Sequence, residues 1–590
     1  MIDNRNMILA IVLSIAILLA FDVFGPKKKP VLPEAPQQAE KATPDGKAGA
    51  KPSSVPTPGA APAAKSAPGI PQPTAPTVAD IVKSRAALLA AQPRIHITAP
   101  RLHGSISLVG GRIDDLTLPD YREGLNRNSP EIVLLVPHGA DDAYFAEFGW
   151  VSGDGQPVPG GDTLWRADAD RLTAERPVTL TWDNGRGLKF TRIYAVDRNY
   201  MFTVTDKVEN TGTKPTALYP YGLISRRGTP KTTGFYILHE GPYGVGNGKL
   251  TEITYTDLQE KGRITGSAKG GWMGFTDKYW LAALVPDQAT EINTRYVYRK
   301  ENRDDVYQVD YLSPQLIVPP GGSGQTQNRL FTGAKEVQLM DDYETALHID
   351  RFDLAIDFGW FYFLTKPIFY ALLFINEHVK NFGVAILLLT VFIKLAFFPL
   401  ANKSYVAMSK MKKLQPEITK LRERFGSDKM KLNEEMMTLY KREKANPASG
   451  CLPILIQIPV FFALYKVLFV NIEMRHAPFY GWIHDLSAAD PTSVFNLFGA
   501  IPWTPPDFLM IGAWPLVMGV TMFLQQKLNP QPTDPMQAKI FLFLPIMFTF
   551  LLAQFPAGLV IYWTWNNILS MLQQWVIMRR MGITPGQALK

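Results

Sequence analysis

Lys394 lies inside the apolar run Phe382–Leu400, a stretch otherwise composed like a membrane span. A cation within a span costs about 2.5–3.5 kcal/mol on insertion scales, so a chain that carries one generally uses it. Thr390 precedes it by one helical turn on the same face, which stacks a polar residue on a charged one. Two readings are open. If the helix runs toward the inner face, Lys394 lies about seven residues, roughly 10 Å, from that end, within reach of snorkelling to headgroups. Alternatively, Thr390 and Lys394 face a wet surface inside the membrane. Asp22 and Lys466 also fall in apolar runs, but within about a turn of an end.

Other polar residues interrupt the apolar runs. Gln457 lies in Cys451–Pro459, Tyr465 follows two turns later, and Tyr562, Trp563, Asn566 and Asn567 mark the last run. Singly, such residues serve interhelical hydrogen bonds or an interfacial aromatic belt. Together with Thr390 and Lys394 they could line one hydrophilic concavity, and Pro453, Pro459, Pro545 and Pro556 permit bent helices around it. The chain has no GxxxxGK[ST] loop to cradle a nucleotide. Its lone cysteine, Cys451, excludes an internal disulfide and a cysteine-based zinc site. No enzyme activity, cofactor or metal is expected.

The elements that must position these residues follow from composition. Residues 1–25 (apolar Met7–Phe24) read as an uncleaved signal-anchor, because Leu18-Leu19-Ala20 puts a bulky residue where cleavage needs a small one. Residues 26–85 begin with a tract, 26–76, that holds thirteen prolines and cannot bury a core, so they read as a disordered linker. Short alternating runs such as Leu188–Val196, Met201–Val208 and Thr294–Tyr298, broken by Asp183-Asn-Gly185 and Asn210-Thr-Gly212, predict a large antiparallel β-sandwich over 86–350. Residues 351–381 carry Lys366-Pro367 and Asn376-Glu377-His378, and are predicted as an interfacial amphipathic helix. Residues 382–577 hold five further spans: Phe382–Leu400, Leu452–Val470, Phe508–Leu524, Ile540–Ala553 and Gly558–Ile577. The fold class is therefore a polytopic α-helical membrane protein of six spans with a large all-β domain.

Charge sets the sidedness. Residues 401–449 carry twelve Lys/Arg against six acids, whereas Asn471–Asp507 has one Arg and four acids. Basic loops stay in the cytosol, which places 402–448 and the tail 578–590 inside and the β-domain outside. Lys27-Lys28-Lys29, just after the first span, argues the other way, but long domains translocate largely regardless of nearby charge. The net charge of +8 thus reads as topology information, not as DNA binding.

Within 402–448, Ala401–Phe425 and Lys429–Lys444 predict a helical hairpin, with Ser427 or Asp428 capping the second helix. Met408, Met411, Leu414, Ile418, Leu421 and Phe425 form one apolar stripe; Leu432, Met436 and Leu439 form its partner. Met408, Met411, Met430, Met436 and Met437 would suit contact with varied apolar segments.

Asn446-Pro447-Ala-Ser-Gly-Cys451-Leu-Pro453-Ile-Leu-Ile-Gln457-Ile-Pro459, Trp482–Ser487, Thr533–Gln537 and Phe555–Leu559 resemble YidC-type membrane protein insertases (the YidC/Oxa/Alb family), in the Gram-negative form. The resemblance implies a β-supersandwich outer domain of the kind seen in sugar mutarotases, with no catalytic set transferred. It further implies a groove among the five C-terminal spans that receives nascent membrane proteins in the bacterial inner membrane. Sec translocon, ribosome and membrane lipids are the implied partners. Groove residues would be Lys394, Thr390, Gln457, Tyr465, Tyr562 and Trp563. Two departures stand out. The family's groove residue is commonly arginine, so Lys394 keeps the charge without the five-donor fork, and Tyr562-Trp563 replaces a frequent pair of tyrosines. A channel or transporter would instead carry more ionisable residues along a pore. A membrane-anchored carbohydrate-active enzyme leaves five spans unexplained; deleting residues 30–345 would abolish its function but spare an insertase core.

Overall fold

In the computed structural model, the described residues are 85–234, 238–426, 428–443, 452–503, 505–506, 509–529 and 535–580. The signal-anchor, the linker up to residue 84, nearly all of the C-terminal tail, Asn446–Cys451, and Thr533 and Asp534 lie outside them.

Alternation builds the first half. In Leu188–Val196 every second residue is buried, so Leu188, Phe190, Arg192, Tyr194 and Val196 point inward. The strand pairs antiparallel with Met201–Asn210, and Arg192 stands directly opposite Asp206. The Asp183–Gly185 turn closes the preceding hairpin: the Gly185 amide donates to Asp183 Oδ1 at 2.8 Å, with Gly185 at φ 67°. Among the described residues, strands from Arg94 to Ala334 form an 11-stranded and a nine-stranded sheet. Nearly all pairs are antiparallel; His96–Arg171 belongs to a parallel one. Trp150, Trp165 and Trp272 are fully buried in the core. Each large apolar side chain so buried contributes about 1.5–3 kcal/mol.

The helical half is labelled α1 (Tyr362–Val379), α2 (Phe382–Ala396), α3 (Phe398–Phe425), α4 (Lys429–Arg442), α5 (Leu452–Val470), α6 (Ala513–Leu528), α7 (Pro535–Leu552) and α8 (Ala557–Arg580). Asn381 caps α2 by accepting from the Val384 amide at 3.0 Å. Asp428 caps α4, accepting from the Lys431 amide at 3.1 Å.

The predicted continuous span Phe382–Leu400 is interrupted. α2 stops at Ala396 and α3 leaves at 71° to it. Pro399, in the first turn of α3, cannot donate to the Leu395 carbonyl and its ring would clash there, which favours the break at this point. Among the described residues no single helix is long and apolar enough to cross a membrane; this bent pair is, taken together. Lys394 consequently sits in the last turn of α2, two residues from the end of that helix.

One apolar core runs from the sheets through Phe352, Leu354, Ile356 and Phe358 into α1, α2, α5 and α8. Polar ties reinforce it. Lys466 Nζ on α5 donates to Asp357 Oδ2 at 2.6 Å. Arg475 Nη2 donates to the Arg122 carbonyl at 2.5 Å. Asp341, Glu344 and Asp353 bring carboxylate oxygens within 4.8 Å of one another. Lys366 bonds two of them, at 2.9 Å (Asp341) and 2.8 Å (Asp353), so this cluster clamps α1 to the β-domain.

Candidate functional site

α8 carries Tyr562, Asn566, Ser570 and Gln574 at steps of four, which aligns them along one face. That face meets Thr390 and Lys394 of α2, Ala401 and Tyr405 of α3, and Gln457, Val460 and Leu464 of α5. Tyr562 and Asn566 of that face line, with these residues, a pocket partly open to the outside, about 580 Å³ when the open solvent at its mouth is counted.

A chain of hydrogen bonds runs along the pocket wall. Lys394 Nζ donates to Ser570 Oγ at 2.7 Å, and Ser570 Oγ donates to the Asn566 carbonyl at 2.8 Å. Gln457 Nε2 on α5 donates to Asn566 Oδ1, also at 2.8 Å. Among the described residues no carboxylate lies within ion-pair distance of Lys394. The ammonium therefore points across to a neutral hydroxyl of α8. Lys394, Thr390, Gln457 and Tyr562, singled out from the sequence, are thus brought together.

Thr390 is more bland than its spacing suggests: its hydroxyl donates to the Ile386 carbonyl of its own helix at 2.6 Å and it is buried. Tyr465 and Trp563 lie outside the lining. Trp563 packs edge-on to Phe461 at 4.7 Å, and Tyr465 stacks on Phe461 at 6.1 Å. Asn567 turns to α6, where Nδ2 donates to Thr521 Oγ1 at 3.2 Å. Sequence reasoning missed Ser570 and Tyr405; the four-residue step from Tyr562 through Asn566 was the available signal for Ser570.

Leu414, Ile418 and Leu439 form the hairpin's own core, with Met411 and Met436 packed against it. Met430 and Met437 are exposed, and Met408 is half-buried. The hairpin is tied back to α6 by Lys412 Nζ, which donates to the Lys527 carbonyl at 3.1 Å. On α6 and α7, Val517, Val520, Phe523, Ile540, Phe541 and Phe543 are exposed together. An apolar surface of that extent marks contact with another apolar medium.

Family models match the chain twice, the YidC periplasmic domain over residues 94–371 and the 60Kd inner membrane protein family over residues 374–584. A membrane protein insertase YidC of Methylobacterium sp. (strain 4-46) is 51% identical over 98% of this chain and 96% of its own length. One from Bradyrhizobium diazoefficiens is 49% identical over 99% of this chain and 97% of its own. A solved structure, an active YidC insertase with its first transmembrane domain resolved, aligns over 82% of this chain and 92% of its own at 18% identity and TM-score 0.35. By identity sustained over nearly the full length of both chains, the protein belongs to the YidC family of membrane protein insertases.

Proposed function

We propose that this chain inserts and helps fold integral proteins of the bacterial inner membrane, receiving each nascent segment in the pocket between α2, α3, α5 and α8. The observation that carries the reading is the Lys394–Ser570–Asn566–Gln457 line, a polar strip along the pocket whose cation has no carboxylate paired with it among the described residues. A client's short acidic leader enters the pocket and is held near Lys394. Opposite charges about 4 Å apart attract by roughly 4 kcal/mol at an effective dielectric near 20. That is comparable to the cost of drawing one carboxylate into a membrane, so the cation offsets it. Transfer of the apolar segment to lipid, beside the exposed faces of α6 and α7, drives release.

In this reading the β-domain is periplasmic and both termini are cytosolic. Met408, Met430 and Met437 on the cytosolic hairpin guide the client, while Met411 and Met436 hold the hairpin together. The Sec translocon and the ribosome are candidate partners, and lipid is the acceptor. No bond is made or broken, so neither catalytic residue nor cofactor is assigned.

The test is complementation of depleted cells with Lys394→Arg, Lys394→Ala and Lys394→Glu, scored on a small Sec-independent client with an acidic leader. Arg is expected to support insertion, Ala to reduce it by about tenfold or more, and Glu to abolish it. Normal insertion by stably expressed Ala and Glu variants would remove the charge step.

A further inference from the structure

The segment 493–503, between α5 and α6, is built inside out. Its polar side chains turn inward to serve the backbone. Ser493 Oγ donates to the Leu509 carbonyl at 2.9 Å and accepts from the Phe495 amide at 3.2 Å. Asn496 Nδ2 donates to the Trp503 carbonyl at 3.2 Å, and its Oδ1 accepts from the Gly499 amide at 3.0 Å. Ser493 is fully buried. Its apolar side chains point the other way: Phe495, Leu497, Phe498, Ile501 and Trp503 are 43%, 60%, 51%, 44% and 48% exposed. A loop folded in water does the opposite, hiding apolar groups and offering polar ones.

The backbone is bent to achieve this. Leu497 and Phe498 are consecutive residues in the left-handed region, at φ 51° and 57°. Large side chains avoid that conformation, and residues held in it mark places where the surroundings supply a compensating gain. Satisfying polar groups internally while presenting carbon outward is the rule for chain in an apolar medium. The segment has no ionisable side chain, and no lysine or arginine occurs between Arg475 and Lys527, so an acidic or nucleic-acid partner finds no complement. It is continuous with an apolar surface: the Val494 amide donates to the Ile511 carbonyl at 3.0 Å, at the mouth of α6, whose Val517, Val520 and Phe523 are exposed. Tyr480 and Trp482, earlier in the same connection between α5 and α6, are exposed and are amphipathic rings of the kind enriched at a headgroup boundary.

We propose that this loop is a lipid wedge, with Leu497 and Phe498 at its tip, seated at the hydrocarbon–headgroup boundary of the leaflet it faces. The wedge holds the joined ends of α5 and α6 at a fixed depth, so that the pocket keeps its position across the bilayer. It rests on the membrane reading above and adds a site to it.

The test uses the full chain with Cys451→Ser, so that one new cysteine takes an environment-sensitive NBD fluorophore. Labels at Phe498→Cys and, independently, Leu497→Cys are compared with Asn302→Cys on an exposed β-domain turn, in phosphatidylcholine–phosphatidylglycerol vesicles. At 497 and 498 the emission is expected to shift to the blue. Quenching there by lipids spin-labelled near the headgroup should exceed quenching by aqueous iodide by about twofold or more, with the reverse at 302. Iodide quenching at 497 and 498 equal to that at 302 would overturn the wedge. Protection from both quenchers would also overturn it, in favour of a protein partner. Client insertion is scored in the same vesicles: lost insertion with lipid quenching intact counts against the groove and leaves the wedge standing.

Discussion

The β-domain and the helical half treat buried charge differently. In the β-domain, Arg192 meets Asp206 at 2.6 Å across adjacent strands, Arg112 meets Glu147 at 2.7 Å, and Arg295 meets Asp310 at 2.8 Å. Each of these three cations has a carboxylate beside it, whereas buried Lys335 is held by the Thr276 hydroxyl at 2.8 Å and the Asp277 carbonyl at 2.7 Å. The helical half follows the pairing practice at Lys466, with Asp357 at 2.6 Å. Lys394 departs from it: among the described residues no carboxylate pairs with it, and its ammonium donates to the Ser570 hydroxyl. A cation that held the bundle together would be expected to have a fixed anion. One without it keeps its attraction available for an anion that arrives and leaves.

The sharpest way to break this comparison is to delete both cations and read two quantities. Removing one partner of a buried pair leaves an uncompensated charge, so Arg192→Met should cost about 3–5 kcal/mol of β-domain stability. Lys394→Met strands no carboxylate, and Ser570 keeps its bond to the Asn566 carbonyl. Its stability cost should be no more than about 1 kcal/mol, while insertion of the acidic-leader client falls about tenfold. Denaturant midpoints by fluorescence and an insertion assay, both on purified full-length protein, decide it. If Lys394→Met unfolds the bundle as Arg192→Met unfolds the sandwich, Lys394 is structural.

How much of this was legible in the sequence depends on the distance over which information is carried. Leu188–Val196 announced itself, because a strand's inward face repeats every second residue. The hairpin stripes were equally local. The Lys394–Ser570 contact spans 176 positions, and no local pattern encodes which helix faces which. α5 is apolar on every side, so nothing in it says whether Gln457 or Tyr465 turns to the pocket. The placement of Tyr465 and Trp563 against Phe461 follows from aromatic packing that composition alone does not orient. The break at Phe397 was readable in principle from Pro399, but an unbroken apolar run outweighed one proline.

A second prediction sharpens the β-domain side. His138 has no acid paired with it among the described residues and lies edge-on to Phe145 at 5.2 Å. Burial, with Arg112, Arg227 and Arg299 adding to it, lowers its imidazole to about 4 from an ordinary 6.5. The folded pKa is the lower one, so the unfolded chain takes up the proton first as pH falls. Stability is therefore full above about 6.5 and is lost down to about 4, by roughly 3 kcal/mol at most. His138→Gln should flatten that window in denaturant midpoints measured from pH 7 to 4. An unchanged pH slope would mean that the imidazole charges in the folded state.

The smallest effect tests how Lys394 is held. Ser570 sits one turn beyond Asn566 on α8, and its hydroxyl both accepts from the ammonium and donates to the Asn566 carbonyl. Ser570→Ala removes the acceptor but leaves the charge, and water in a partly open pocket replaces much of the lost bond. The net value of such a bond is about 1 kcal/mol, so insertion of the acidic-leader client should fall only about two- to fivefold. Ser570→Thr, which keeps the hydroxyl, should restore it. A client with a neutral leader should be insensitive to both changes, because it makes no demand on where the ammonium points. Equal losses for the two clients would show that Ser570 supports the packing of α8 against α2, and that the direction of Lys394 is set by something else.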